Sequence, residues 1–204
     1  MKKIGFVFII LGLLIIIYAV FSKLTVDKRS SAKVKEYKNY INWINENQIS
    51  EQDIKIVEEN QQQDKAQDNV EIPEGLLGIM EIDKIDLSVT IAEGTDNKSI
   101  TLSVGHFPDT AMAGEKGNFS VVGHRSYRYG AYFNRLDELE AGDIIKVKTV
   151  AGEFEYVVDE SFVVEPTELW VLDPTDTATI TLVTCTPIRT ATHRLIVKGH
   201  LLEN

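Results

Sequence analysis

Cysteine is almost absent from this chain of 204 residues. The single one, Cys185, has no partner for a disulfide in its own chain, so it is either a buried apolar side chain or a thiol with a task. Proline and glycine are missing over a long interval. From Ser30 onward there is no Pro before Pro73 and no Gly before Gly75, which excludes the tight turns of a β-rich domain there. Basic residues are also in short supply. The 21 Lys and Arg face 31 Asp and Glu, a formal charge of -10, and an acidic surface repels phosphate backbones, so nucleic acid is not an expected partner. A composition of 44% hydrophobic and 25% charged residues excludes a disordered or collagen-like chain, and the length suits one domain with an appendage.

Charge is unevenly spread. Residues 1–29 carry a net +4, residues 30–75 a net -5 and residues 76–204 a net -9. Within the basic end, Ile4 to Phe21 is a run of 18 uncharged, mostly aliphatic residues, just long enough to cross a bilayer core. Lys2 and Lys3 precede it and favour a cytoplasmic N-terminus with the rest outside, although Lys23, Lys28 and Arg29 on the far side oppose that orientation. The run exceeds the apolar core of a signal peptide, and Ala19-Val20-Phe21 places Phe where cleavage wants a small residue. An uncleaved single-pass membrane anchor over residues 1–29 is expected, with the remainder extracellular.

Residues 30–74 read as a polar stalk that can be helical. Val34, Tyr37, Ile41 and Ile44 recur at spacings of three and four and make a one-sided stripe, whereas Glu59 to Asp68 is almost wholly polar. After Gly75 the texture changes to short β-type runs: Leu76 to Ile82, Ile85 to Ile91, Asn118 to His124, Ile144 to Val150, Glu153 to Val164, Thr177 to Thr184 and His193 to His200. Only Phe133 to Leu139 and Thr167 to Leu172 resemble helical turns. Residues 75–204 therefore predict an all-β barrel or sandwich. A chain starting near Gly75 is expected to be soluble and folded.

Period-2 alternation in the run ending at Cys185 puts Ile180 and Leu182 on one face and Thr181, Val183 and Cys185 on the other. Pro187 ends the strand soon after, so the thiol stands at a rim. In His193 to Lys198, Leu195 and Val197 form the apolar face and Arg194 points away from it. A cysteine nucleophile needs an imidazole that is remote in sequence and a cation for the oxyanion. Of His106, His124, His193 and His200, His124 is best placed, since it closes a strand and follows Gly123.

The motif Thr181-Leu-Val-Thr-Cys185, the segment Val122-Gly-His-Arg125 whose His lies 61 positions before the Cys, and His193-Arg-Leu-Ile-Val197 together resemble the sortases, membrane-anchored cysteine transpeptidases of Gram-positive bacteria. The resemblance covers residues 75–204. It implies an eight-stranded β-barrel, with Cys185 as nucleophile, His124 as acid and base, Arg194 as oxyanion and substrate ligand, and Thr184 and Val183 beside the thiol as substrate contacts. Trp170 either lines the peptide groove, in the connection between two strands, or packs in the core or at the rim. The implied partners are surface proteins bearing a C-terminal LPxTG-like sorting signal and a cell-wall precursor amine. Gly123 to Gly130 and Tyr132 to Asp137 look like class D, while Thr184-Cys-Thr-Pro187 and Thr192-His-Arg-Leu195 are similar to class C. Class C pilin polymerases usually carry an aromatic lid and a second, C-terminal membrane segment. Here the only Trp before the barrel is Trp43 and the sequence ends Leu201-Leu-Glu-Asn204, so wall anchoring is the expected activity.

Val104-Gly-His-Phe107 repeats the shape of the His124 segment, and His106 is expected to be structural. Asp109 and Glu115 are too few carboxylates for Ca²⁺, so neither a metal nor any other cofactor is expected. Three rival activities use the same residues differently: a cysteine hydrolase or protease with water as acceptor, a pilin polymerase, and a binding module in which Cys185 is buried packing.

Overall fold

The computed structural model describes residues 2–47, 73, 75–125 and 132–202. Eight strands close into a barrel: β1 (Leu76–Ile82), β2 (Leu87–Glu93), β3 (Val104–His106), β4 (Gly117–Val122), β5 (Ile144–Thr149), β6 (Gly152–Val164), β7 (Ala178–Thr186) and β8 (His193–Leu201). Around the barrel the order is β1, β2, β3, β4, β7, β8, β6, β5. Closure leaves no exposed sheet edge. Alternation sets the two faces: Ile180, Leu182, Leu195 and Val197 point into the central core, while Val183 and Ile196 belong to a second apolar cluster outside the wall.

Two pairings are parallel, β2 with β3 and β4 with β7. A parallel neighbour needs a crossover, and a short helix, α2 (Asn97–Thr101), makes the one between β2 and β3. Asp96 caps it by accepting from the backbone N–H groups of Lys98 and Ser99. Neither β3 nor α2 is among the elements expected from the sequence. The expected strand from Ile85 begins instead at Leu87, because Asp83–Ile85 forms a 3₁₀ turn. The two expected helical turns are 3₁₀ segments at Leu136–Glu138 and Leu169–Leu172.

A single long helix, α1 (Lys2–Asn47), joins the apolar run to the first part of the expected stalk. Val7 to Phe21 leaves its aliphatic side chains almost entirely exposed, and the helix is long and apolar enough to cross a membrane. The Glu59 to Asp68 stretch lies outside the described residues.

The stripe on α1 does have something to bury. Val34, Tyr37, Tyr40 and Ile44 are buried in one cluster with Ile79, whose side chain leaves the outer face of β1, and Leu76 and Val150 pack at its margin. The Tyr37 hydroxyl donates to the Leu77 carbonyl at 2.7 Å, and Lys38 pairs with Glu81 at 2.8 Å. Burial works against the charged form of Glu81, but Lys38 and Lys148 outweigh it and hold its carboxyl below the usual value. That tie stabilises the packed state at neutral pH and is lost as pH falls through the lowered carboxylate range.

Burying one large apolar side chain is worth about 1.5–3 kcal/mol. A chain starting at Gly75 is therefore expected to keep the barrel but to lose several kcal/mol relative to one starting near Ser30. Urea titrations of the two check this, and equal midpoints would show that α1 adds nothing to the barrel's stability.

Candidate active site

Two hydrogen-bonding registers assemble the site. β7 and β8 run antiparallel with Cys185 directly opposite Arg194 and Val183 opposite Ile196. Directly opposed residues share a face with Cβ atoms about 5 Å apart, so thiol and guanidinium leave the same outer surface side by side. β4 runs parallel to β7 with Val122 level with Val183, and beyond its last ladder residue the Gly123 N–H still donates to the Val183 carbonyl at 3.1 Å. The chain then delivers His124 to the end of β7 that carries Cys185. Cys185 and Arg194 are half-buried and His124 is exposed.

Gly123 is needed for packing. A Cβ there would lie 2.7 Å from the Phe133 ring, and Phe133 returns the contact by donating its N–H to the His124 carbonyl at 3.1 Å. Thr184 is 1% exposed, and its hydroxyl donates to the Gly123 carbonyl at 2.7 Å. Its side chain thus acts on the backbone that carries His124, on the face of β7 opposite Cys185.

Among the described residues, three of the four histidines face a carboxylate: His106 with Glu93 at 3.0 Å, His193 with Glu165 at 3.2 Å and His200 with Asp159 at 2.7 Å. His124 is the one that does not. His106 is 1% exposed and stacks on Phe119 at 5.2 Å, with its second ring nitrogen against the Ala111 carbonyl and the Thr110 hydroxyl. Such a ring is walled in and cannot reach a substrate.

Arg194 turns one guanidinium nitrogen back to the carbonyls of Ala191 and His193, at 3.2 and 3.0 Å. Those bonds hold the head of the side chain near the turn that joins β7 to β8.

An apolar apron leads to the thiol. Val183, Ile196 and Val171 are buried in it, with Phe107, Val122, Phe162, Val164 and Leu172 packed against them. Trp170 lies at its border, 48% exposed, stacked parallel to Phe162 at 5.8 Å with the Lys198 ammonium 5.2 Å from its ring centre. Asn118, buried on β4, fixes the segment carrying Trp170. Its amide donates to the carbonyls of Val171 and Asp173, and its oxygen accepts from Thr181.

Arg125 is absent from the expected site. A charged residue after a loop histidine reads as a solvated one, yet its side chain is only 7% exposed. It donates to the Thr186 hydroxyl at 2.9 Å and the Asn134 carbonyl at 3.3 Å, and pairs with Asp137 at 2.8 Å. One planar group thereby links the neighbour of His124 to the neighbour of Cys185. Arg125→Met should lower kcat more than it raises KM, because it loosens the two candidate reacting groups, Cys185 and His124, without touching the apron. Arg125→Lys should recover part of the loss, limited by the missing fork. Steady-state kinetics of both variants test this, and unchanged kcat in Arg125→Met would dismiss the link. Ser126 to Gly130, which complete the motif around Arg125, lie outside the described residues.

A sortase-domain model matches residues 80–202, the whole barrel except the first four residues of β1. The chain belongs to the sortase family. It is 37% identical over 141 residues to sortase SrtE1 of Streptomyces coelicolor and 36% identical over 105 residues to sortase D of Bacillus subtilis. These matches take in 61% and 52% of this chain and 40% and 47% of the relatives, so the chain spans less than half the length of either. A solved Clostridium perfringens sortase D5 transpeptidase is 32% identical, with a TM-score of 0.62 over 83% of this sortase and 99% of that chain. The crystal structure of sortase C-1 from Actinomyces oris is 29% identical, with a TM-score of 0.61 over 65% of this chain and 77% of the other. Among the described residues no group of three or more His, Cys, Asp or Glu side chains could hold a metal ion.

Proposed function

We propose that this sortase is a membrane-anchored cysteine transpeptidase that cleaves an LPxTG-like sorting signal and joins the released protein to a cell-wall amine. The observation that carries this reading is the register that sets Cys185 opposite Arg194 on one face while β4 brings His124 to the same strand end. The Cys185 sulfur, as a thiolate whose proton sits on His124, attacks the scissile carbonyl carbon, and the carbonyl oxygen, now negative, takes hydrogen bonds from N–H groups of Arg194. Collapse breaks the C–N bond, and protonated His124 gives its proton to the departing amine. A thioester is left on Cys185. The acceptor amine, losing a proton to His124, attacks that thioester, and the sulfur leaves as the new amide forms.

The apron beside Val183, with Trp170 at its border, suits the apolar residues of an extended peptide. Thr184 supports the reaction from behind, through Gly123. The exposed apolar stretch of α1 suits an anchor, which puts enzyme and anchored substrate in one membrane and raises their effective concentration.

The test offers the sortase a sorting-signal peptide with no amine, with a small wall-type amine, or with a Lys-bearing pilin domain. Amine-dependent ligation product is expected with the small amine. Hydrolysis that no amine diverts would make the enzyme a protease, and ligation to the pilin alone would make it a polymerase.

A further inference from the structure

α1 meets the barrel across β1 and β2, and its direction there is set by residues at both ends of the contact. Its lower-numbered end lies at the Tyr132 hydroxyl, which faces Ser30 and Asp27. Tyr132 immediately precedes Phe133, whose N–H is bonded to the His124 carbonyl, so this is the end of the barrel where β4 and β7 finish and β8 begins. Two turns further on, the Tyr37 hydroxyl donates to the Leu77 carbonyl, and its cluster takes in Leu76 and Val150, at the opposite end, where β1 starts and β5 stops. The apolar run of α1 therefore leaves the barrel from the end that carries Cys185.

The helix is unbroken from the apolar run to the barrel, with neither Gly nor Pro between Phe21 and Asn47. Ser30 lies nine steps along the helix from Phe21, which is about 14 Å at the helical rise. The headgroup layer takes up roughly 6 Å of that. Lys28 and Arg29 fall in the last of these turns, just outside the headgroup layer and within reach of its negative surface potential.

We propose that α1 is a strut that turns the Cys185 end of the barrel toward the bilayer and sets its height, holding Ser30, where the helix meets that end, about 14 Å outside the hydrocarbon. The partner this fits is a protein held in the same membrane, with its scissile segment at that height. The inference rests on the anchor assigned under the proposed function, but not on the chemistry. A soluble substrate would gain nothing from the strut.

The sole cysteine makes the height measurable. A fluorophore on Cys185 of the full-length chain, reconstituted in vesicles of phosphatidylcholine and phosphatidylglycerol with acceptor-labelled headgroups, should transfer energy several-fold more strongly than one placed by Ala151→Cys in a Cys185→Ala background. Ala151 is exposed in the turn between β5 and β6, at the far end of the barrel.

Seven helix-forming residues inserted after Leu24 add two turns, about 10 Å, with almost no rotation. The insertion should weaken transfer from Cys185 and slow reaction of a lipid-tethered sorting peptide with a short spacer, while the rate with soluble peptide stays within two-fold. A tether longer by the same length should restore the tethered rate. Equal or stronger transfer from position 151, or transfer from Cys185 that ignores the insertion, would overturn the strut. A wild-type chain inactive on soluble peptide would count against the transpeptidase assignment and leave the fluorescence result to decide the orientation.

Discussion

Cys185→Ala is expected to form no acyl-enzyme and no transfer product, with the barrel intact. Cys185 is half-buried on the outer face, where the sulfur adds little to the packing of Val183 and Ile196, and its loss leaves no core cavity. Its absence leaves the substrate carbonyl without a nucleophile, and no other cysteine exists to replace it. Intact-mass spectrometry of the enzyme mixed with sorting peptide should show the adduct in the wild type and none in the variant, while circular dichroism and melting curves of the two coincide. Turnover near the wild-type rate in Cys185→Ala would remove the thiol from the mechanism.

Exchange of the two Gly-His segments should give opposite phenotypes. His124→Ala should lower kcat/KM by about 10² to 10⁴, the usual cost of losing a general acid and base, with little change in melting temperature because the ring is exposed. His106→Ala should do the reverse. It removes a fully buried ring stacked on Phe119 and its hydrogen bonds to Glu93, Thr110 and the Ala111 carbonyl, and the cavity left behind together with the lost bonds costs about 2–4 kcal/mol. Kinetics at a temperature where both variants are folded, alongside thermal melts, separates the two effects. An inactive His106→Ala with an active His124→Ala would transfer the acid and base role to the other segment.

Much of this was legible in the chain itself. The apolar run, the change of texture at Gly75 and the period-2 alternation around Cys185 and Arg194 are local properties, because strand geometry alone decides which residues share a face. The family motif names Cys185, His124 and Arg194 for the same reason: each lies in a short contiguous pattern. β3 was not legible, since three residues are too few to display alternation and its parallel partner β2 lies across a crossover. The stripe on α1 could be seen, but not that it would cover Ile79 on the outside of the barrel.

Sequence by itself singled out Cys185, His124 and Arg194 as the candidates for nucleophile, acid and oxyanion ligand, and determined that an apolar run precedes a β domain. Tertiary structure alone decided that Cys185 faces Arg194, that Gly123 bonds across to β7 with Thr184 behind it, that Arg125 is a buried link, and that the thiol lies at the end of the barrel from which α1 leaves. The first three depend on register between segments up to 61 residues apart and the last on the packing of α1 against the barrel, both settled by the sum of core packing and ladder hydrogen bonds and leaving no trace in any local pattern.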